Sequence, residues 1–270
     1  MKIMGIVGSP RKEKGLTHQI VEKALKGAAA EGADTELVYL RDYNPDYCIH
    51  CDYDCFSELE CRQEDDLNLL YRKVENCNGL VLGAPVYIWQ TNALTISFIE
   101  KMRLKTGPWN VERENHKTAL GIAVAGGTGT GVFPALKSIY SFFNLWKFNP
   151  LPPLPVTRFN FEKALKQAEK QGTKLGKNIP EDISDPAEIM AAYDNFEYLD
   201  FKRRDEFRWL AEKVVQNIKE NYSVTGEILD DIESLIEKGD NELNNKNQGK
   251  AIRNYMRAYQ KAKKIRQDNS

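Results

Sequence analysis

A continuous apolar run, Gly79–Val86 (GLVLGAPV), constrains the fold of this chain more than any other feature. A strand that is apolar at every position, rather than at alternate positions, belongs in a sheet whose two faces are both covered. Similar runs at Lys2–Gly8 and Thr118–Ala125, and an alternating segment at Thr35–Leu40, are separated by segments with the apolar spacing of helices. This alternation predicts an α/β fold with a doubly wound parallel sheet, which binds ligands at the carboxyl ends of its strands. The predicted helices are Leu16–Glu31, Asp65–Cys77, Thr91–Lys105, Gly131–Leu145 and Phe161–Gly176.

The fifth strand and the region after it are less regular. Residues 149–160 (NPLPPLPVTRFN) should contain the fifth strand near Leu154–Arg158, and the prolines indicate an edge strand or an irregular connection. After the last of these helices, the pair Asp185-Pro186 indicates a linker. We therefore expect a first domain at residues 1–178 and a charged helical extension at residues 179–270.

The extension has strong charge patterns. Residues 187–220 predict one or two amphipathic helices, whose aromatic side chains cover their own domain, a cofactor or a second copy of the chain. An acidic helix after Thr225 and a basic helix at Gly249–Arg266 have opposite charges, and they therefore suit an antiparallel hairpin. We expect the basic helix to be solvated or to face a protein rather than nucleic acid.

Composition argues against several classes of partner. The net charge of −1 gives no overall attraction to nucleic acid or to a membrane surface. The sequence has no apolar run of about eighteen residues, as a membrane-spanning helix requires. The N-terminal segment MKIMGIVGSP begins a strand rather than a charged leader with an apolar core, so we expect a cytoplasmic protein without a membrane partner.

Four of the five cysteines lie within the fourteen residues CIHCDYDCFSELEC, which form one loop after the second predicted strand. In a reducing compartment, such clustered thiols indicate a metal or redox site rather than a disulfide framework. Thiolates separated by two to five residues are suitable ligands for an iron–sulfur cluster and for structural zinc, and the spacing alone leaves both open. The candidate ligands are Cys48, Cys51, Cys55 and Cys61.

Three loops follow the carboxyl ends of the predicted strands. The first, GSPRKEKGLT, combines side-chain donors with the free backbone amides of a helix start, as a phosphate site requires. It matches neither the nucleoside triphosphate motif nor the dinucleotide fingerprint. The second loop, PVYIWQ, is aromatic, and the third, GGTGTG, lets the backbone approach a flat ring closely. Because parallel strands end at one edge of the sheet, the three loops predict a pocket for a phosphorylated planar heterocycle.

These segments carry a resemblance to a known family. GIVGSPRKEKGLT, GAPVYIWQTNALTISFIEKM and VAGGTGTG are similar to the three flavin-binding segments of the flavodoxin-like NADPH-dependent FMN reductase family. The cysteine loop resembles that of the iron–sulfur flavoprotein branch of this family. The resemblance covers roughly residues 1–176 and leaves the extension unexplained. It implies a flavodoxin-like, five-stranded parallel sheet that binds FMN, with a [4Fe-4S] cluster on the four cysteines.

The resemblance also implies which residues bind FMN. Two departures stand out: Leu16 of the phosphate loop occupies a position that is usually a small polar residue, and three residues rather than two separate Cys51 from Cys55. The implied contacts are Ser9, Arg11, Leu16 and Thr17 for the phosphate loop, Pro85, Val86, Tyr87, Ile88, Trp89 and Gln90 around the isoalloxazine ring, and Ala125, Gly126, Gly127 and Thr128 on the other side of the ring.

Three functions follow as hypotheses. In the first, an oxidoreductase accepts electrons from a donor such as ferredoxin at the cluster and passes them through FMN to an acceptor, without a catalytic acid or base. The acidic loop residues Asp52, Asp54, Glu58 and Glu60 are then expected to lower the cluster's reduction potential.

The second hypothesis is a cluster-free, NAD(P)H-dependent FMN or quinone reductase with structural cysteines. The third is a flavodoxin-like scaffold that docks a protein partner through its helical tail. We expect a homodimer or a higher homo-oligomer, because symmetric assemblies of one chain are common among soluble proteins.

Overall fold

The computed structural model describes residues 1–43, 45–51, 55, 60–104, 117–177, 189, 192–200, 202–223 and 226–268. It consists of two compact units. The first comprises Met1–Gly126, Gly131–Val156 and Phe161–Asp200, and the second comprises Gly127–Thr130, Thr157–Asn160 and Phe201–Ser270. The sequence-based division at residues 178 and 179 thus differs from the units of the structure, because the first unit continues to Asp200 and the second includes two short loops. The predicted linker at Asp185-Pro186 lies outside the described residues.

The first unit is built on a sheet whose main strands are parallel. The strands follow the order β2-β1-β3-β5-β6, with β4 paired to β3 in the antiparallel direction and β7 paired to β5. This order is that of a flavodoxin-like fold. The strands are β1 (Lys2–Val7), β2 (Asp34–Tyr39), β3 (Gly79–Tyr87), β4 (Gln90–Thr91), β5 (Thr118–Ala125), β6 (Asn149–Pro150) and β7 (Leu154–Thr157).

Proline divides the predicted fifth strand into two short pieces. β6 pairs with the start of β5 and ends at Pro150, and β7 begins at Leu154 and also pairs with β5. Pro152 and Pro153 lie between them. Because proline has no N–H to donate to a ladder, this segment cannot pair continuously.

Helices cover both faces of the sheet. Val81, Leu120 and Ile122 belong to one buried cluster with side chains of the first and the sixth helix. Leu80 and Leu82, whose side chains point to the opposite face, are fully buried as well. The helices of this unit are α1 (Leu16–Ala30), α2 (Leu40–Tyr43), α3 (Leu67–Glu75), α4 (Ala93–Lys101), α5 (Val132–Leu145) and α6 (Phe161–Gly176).

Aromatic side chains dominate the packing around α5. Phe142 of α5 makes edge contacts with Phe98 and Trp146, at ring-centroid distances of 5.6 and 5.8 Å. The segment that ends the first unit continues this packing, because Tyr193 donates a hydrogen bond to the carbonyl of Phe148 at 2.7 Å. Some of the aromatic residues of the region 187–220 therefore pack on their own unit.

The second unit contains three helices, α7 (Arg203–Asn221), α8 (Gly226–Asn244) and α9 (Gln248–Asp268). α9 packs against both α7 and α8. Asp240 of α8 accepts two hydrogen bonds from the guanidinium of Arg208 at 2.8 and 3.0 Å, and a third from the hydroxyl of Tyr255 at 2.6 Å. These bonds lower the pKa of Asp240. Because its partners lie on α7 and α9, this one carboxylate connects all three helices. Within the described ranges, none of the helices has the length and apolarity needed to cross a bilayer.

Glycine allows α1 and α6 to touch backbone to backbone. A Cβ atom built on Gly172 would lie 1.8 Å from the carbonyl oxygen of Ala24, and one built on Gly27 would lie 2.1 Å from the carbonyl oxygen of Glu169. Real Cβ atoms do not approach other atoms this closely, so any larger residue must push the helices apart.

We predict that Gly172→Ala lowers the free energy of unfolding by about 1–3 kcal/mol, the typical cost of overpacking a close contact. Urea denaturation followed by circular dichroism measures this change. Gly249→Ala is the matched control, since a Cβ atom at this position in α9 meets no atom within 4 Å. Equal stability of the Gly172 variant and the native chain would contradict the backbone contact.

Candidate functional site

The loop after β1 has the geometry of an anion site. The side chains of Ser9 and Thr17 are 3% and 2% exposed, and the Ser9 Oγ accepts a hydrogen bond from the Arg11 N–H at 3.3 Å. Gly15 precedes α1 and offers no side-chain cap. The first-turn amides of Leu16 and Thr17 have no acceptor within the helix, and they lie at the positive end of its dipole. The loop thus holds donors of the kind that bind phosphate.

Polar and charged side chains surround this loop. Arg11 is exposed, and Arg41 donates to the carbonyl of Pro10 at 2.8 Å. The hydroxyl of Tyr39 lies 3.1 Å from His18 Nδ1. Burial, together with a hydrogen bond to Glu13, raises the pKa of Tyr39 to about 12, so its phenol stays neutral at physiological pH. Tyr39 therefore adds no negative charge next to the loop.

The loop after β3 is a tight hairpin rather than the direct helix entry that the sequence predicts. Val86 pairs with Thr91 and Tyr87 with Gln90, so Ile88 and Trp89 form a two-residue turn. Both turn residues have positive φ, at 46° and 62°, which hairpin turns of type I′ require. Such a backbone is strained for a β-branched residue such as Ile88.

This hairpin exposes its apolar tip. Pro85 is buried and Val86 is half-buried, whereas Tyr87, Ile88 and Trp89 are 45%, 91% and 55% exposed. Gln90 is also exposed. The strained turn therefore presents three large side chains outward at the carboxyl edge of the sheet.

The loop after β5 begins in the first unit and continues in the second. Ala125 is buried, and a Cβ atom built on Gly126 would meet only Leu16, whose Cδ1 lies 3.8 Å away. Gly127 and Thr128 belong to the second unit, and a Cβ atom at Gly127 would meet nothing within 4 Å. Gly126 and Gly127 thus leave open space beside the backbone.

Within the first unit, direct contacts join the starts or ends of all three loops. The Nδ2 of Asn92 donates to the carbonyl of Gly8 at 2.9 Å, which links the hairpin to the phosphate loop. A Cβ atom on Gly131 would lie 2.3 Å from the Cα of Trp89, and Gly131 has a φ of 97°. Leu16 contacts the site of Gly126, as described above. These contacts bring Gly8, Leu16, Trp89, Gly126 and Gly131 close together within the first unit.

Asn92 and its neighbour Thr95 were not predicted as residues of the site. Asn92 is 3% exposed, and its Oδ1 accepts a hydrogen bond from the hydroxyl of Thr95 at 2.7 Å. Thr95 in turn lies where any side chain on Gly8 would stand, with its Oγ1 2.0 Å from an ideal Cβ atom there. An Asn before an apolar helix is a sequence signal for a helix cap. The hydrogen bond from its side chain to the carbonyl of Gly8, by contrast, depends on tertiary packing and has no signal in the local sequence.

The four clustered cysteines line one cavity. Cys51 is exposed, and Cys48, Cys55 and Cys61 are half-buried free thiols. His50, Gln63, Lys101, Arg103 and Leu104 complete the lining. Among the described residues, which omit 52–54 and 56–59 of this loop, no three His, Cys, Asp or Glu side chains lie close enough to ligate one metal ion.

The chemistry of these donors nevertheless fits a thiolate-ligated centre. Four sulfur atoms on one cavity wall supply the ligand type that iron–sulfur clusters require.

Cationic and amide side chains surround the thiols, and sequence reasoning missed all of them. The Nη2 of Arg103 lies 3.0 Å from the Sγ of Cys48. Asn68 accepts a hydrogen bond from the backbone N–H of Cys61 at 2.7 Å and donates one to its carbonyl at 3.0 Å. Lys101 forms an ion pair with Asp65, and both side chains are at most 5% exposed. No local pattern marks these residues, because they reach the loop only in the folded chain.

Comparison with known proteins identifies the family. A sequence model described as NADPH-dependent FMN reductase matches residues 1–155. The chain belongs to this family. It is therefore an FMN-dependent oxidoreductase, and the expected family resemblance is confirmed. The match runs from β1 to the second residue of β7 and ends before the helical extension.

Several relatives of this FMN reductase family member carry the name of the predicted branch. An iron–sulfur flavoprotein of Methanocaldococcus jannaschii is 33% identical over 144 residues, which are 53% of this chain and 72% of the relative. An iron–sulfur flavoprotein of Archaeoglobus fulgidus is 32% identical over 144 residues, which are 53% of this chain and 71% of the relative. The alignments thus cover about half of this chain.

A solved structure supports the fold. The structure of RosB with a bound formylriboflavin phosphate intermediate has a TM-score of 0.54 at 16% identity, and the match covers 72% of this chain and 86% of RosB. At this identity the likeness concerns the fold alone. The predicted flavodoxin-like fold of this FMN reductase family member is confirmed.

We predict that Cys77 is alkylated much more slowly than the four cysteines of the loop. Burial raises the pKa of Cys77 to about 11, and its side chain is 1% exposed. Iodoacetamide at pH 8 should therefore label the loop thiols of the metal-free native protein and leave Cys77 unmodified, because the thiolate is the reactive form. Mass spectrometry of the digested protein measures this, and denatured protein, which should be labelled at all five positions, is the control. Equal labelling rates in the native protein would contradict the burial of Cys77.

Proposed function

We propose that this oxidoreductase transfers electrons between an iron–sulfur cluster on Cys48, Cys51, Cys55 and Cys61 and an FMN bound at the three strand-end loops. The observation that carries the proposal is the common cavity of these four free thiols in a chain of the FMN reductase family. A cluster supplies single-electron steps, and a flavin can exchange one electron or two. The names of the relatives from M. jannaschii and A. fulgidus support this assignment.

The phosphate of FMN would bind at the start of α1. The buried hydroxyl groups of Ser9 and Thr17 and the amides of Leu16 and Thr17 provide neutral donors, and Arg11 provides a charge. Leu16 contributes its backbone amide, as any residue except proline would at this position, and it adds no side-chain donor. The buried hydroxyls are set in place before the ligand arrives, which reduces the entropy cost of binding.

The isoalloxazine ring would contact the backbone and side chains of Pro85 to Gln90 and of Ala125 to Thr128. The exposure of Tyr87, Ile88 and Trp89 and the strain of their turn support this proposal, because strained backbone is concentrated at binding sites. The open space beside Gly126 and Gly127 would let the ring approach the backbone closely.

The cations at the cysteine cavity change the expected electrostatics. Of the acidic loop residues, Asp52, Asp54 and Glu58 lie outside the described residues, and Glu60 pairs with Arg72 at 3.2 Å. Lys101 and Arg103 line the cavity itself. Positive charge next to a cluster favours added electrons, so Arg103 would oppose the lowering effect of the acidic loop, whereas the charge of Lys101 is already paired with that of Asp65.

The second candidate function is that of a cluster-free, NAD(P)H-dependent FMN or quinone reductase. The family description supports a nicotinamide donor, and this observation favours the alternative. A ferredoxin donor and a homodimeric state stay predictions. The family assignment gives no support to a scaffold without redox chemistry.

We predict that the protein purified without oxygen contains FMN, iron and acid-labile sulfide, and that Cys51→Ala loses iron and sulfide but keeps FMN. The cysteine loop and the three flavin loops are separate in sequence, so removing one thiol should not disturb the flavin. Visible spectroscopy with iron and sulfide assays measures both cofactors, and Cys77→Ala, outside the loop, should retain them. A native protein that binds FMN but no iron, even after reconstitution, would establish the cluster-free reductase instead.

We also predict that Arg11→Ala weakens FMN binding by about 1.5–3 kcal/mol, the range for a hydrogen bond to a charged group. Quenching of FMN fluorescence measures the dissociation constant. Lys26→Ala removes a positive charge from an exposed position toward the far end of α1, and it should leave the affinity unchanged. Equal affinities of both variants for FMN would remove Arg11 from the phosphate site.

A further inference from the structure

The second compact unit contains part of the glycine loop. Gly127–Thr130 belongs with the three C-terminal helices rather than with the sheet from which the loop emerges. The hydroxyl of Tyr259, on α9, donates a hydrogen bond to the carbonyl oxygen of Thr128. Tyr259 is 7% exposed, and burial raises the pKa of its phenol, so the hydroxyl remains a donor over the physiological range of pH.

Apolar side chains enclose the loop next to this bond. Gly129 has a φ of 84°, and a Cβ atom there would lie 2.6 Å from Cδ2 of Leu210 on α7. The same atom would lie 3.3 Å from Cγ2 of Thr157 and 3.5 Å from Cε2 of Phe159. The loop is therefore packed on one side so closely that only glycine fits.

The second short loop of this unit, Thr157–Asn160, also packs against the glycine loop. Asn160 Oδ1 accepts hydrogen bonds from the backbone N–H of Thr157 at 2.7 Å and from its hydroxyl at 3.0 Å. The ring of Phe159 makes an edge contact with Tyr259 at 6.3 Å, and the guanidinium of Arg266, near the end of α9, lies 5.4 Å from the Phe159 ring centre. Two residues of α9 thus hold the ring that packs against Gly129.

We infer that Tyr259 is a positioning residue for the flavin, because it fixes the peptide plane after Thr128 and with it the backbone that contacts the ring. This inference rests on the proposed flavin site, and it assigns a role to the helical extension that the family match over residues 1–155 does not contain. The hydrogen bond and the enclosure hold the loop in one conformation before FMN binds. A preorganised loop binds more tightly than one that must be ordered by its ligand.

The experiment compares Tyr259→Phe with Tyr255→Phe in the full chain. Both substitutions remove one phenol hydroxyl from α9, but the hydroxyl of Tyr255 donates to Asp240 of α8, whereas that of Tyr259 donates to Thr128 of the glycine loop. We expect Tyr259→Phe to raise the dissociation constant for FMN about threefold to tenfold, as the loss of one neutral hydrogen bond implies. Hydrogen exchange of the amides of residues 127–130 in the FMN-free protein should become faster. Tyr255→Phe should leave both quantities unchanged.

A role in stability alone would give a different result. An unchanged FMN affinity and an unchanged flavin reduction potential in Tyr259→Phe would overturn the inference, even if its unfolding temperature fell. A native chain that binds no FMN would instead overturn the proposed function. In that case, the hydrogen exchange of residues 127–130 would still report whether the hydroxyl of Tyr259 fixes the loop.

Discussion

Burial of both faces of β3 and β5 is the constraint on which the rest of the structure depends. Leu80 and Val81 point to opposite faces, and neither is exposed to solvent, so helices must cover the sheet on both sides. No polar group can then act from the middle of these strands. The chemistry is confined to the loops at their carboxyl ends, where the parallel arrangement brings distant parts of the chain together. Asn92 shows how this edge is held, because its side chain joins a hairpin after β3 to the carbonyl of Gly8 after β1.

Sequence reasoning succeeded where one physical signal dominated. The apolar run predicted β3 to within one residue, and the periodicity of α6 gave the observed bounds, Phe161–Gly176. It did less well where local chemistry was unusual. The turn at Ile88 and Trp89 has positive φ without the Gly or Asn that normally signals such a turn. The sequence therefore predicts a helix that begins at Thr91, whereas the observed helix α4 begins at Ala93. The predicted end of that helix, Lys105, lies outside the described residues.

Part of the lining of the cysteine cavity could be predicted from the sequence, but its surroundings could not. Cysteine spacing predicted that these four thiols lie together, because they are close in sequence, and all four line one cavity. Arg103 contacts Cys48 across 55 positions of the chain, and Lys101 pairs with Asp65 across 36. No periodicity or motif encodes such pairs. The electrostatics inferred from the acidic loop were incomplete for this reason, since the cation that contacts Cys48, Arg103, comes from the residues just after α4.

The extension illustrates the same limit at the level of whole units. Its charge pattern predicts helices, but the sequence gives no sign that Leu210 and Tyr259 pack against a loop more than eighty residues earlier, a separation of 131 positions for Tyr259 and Thr128. That packing explains Gly129 better than the flavin does, because the space that a Cβ atom would need is already filled by Leu210. Gly126 and Gly127, by contrast, meet no close neighbour, and their small size has no structural reason among the described contacts. The glycine loop therefore combines two features: Gly126 and Gly127 leave open space beside the backbone, and Gly129 makes room for Leu210 of α7.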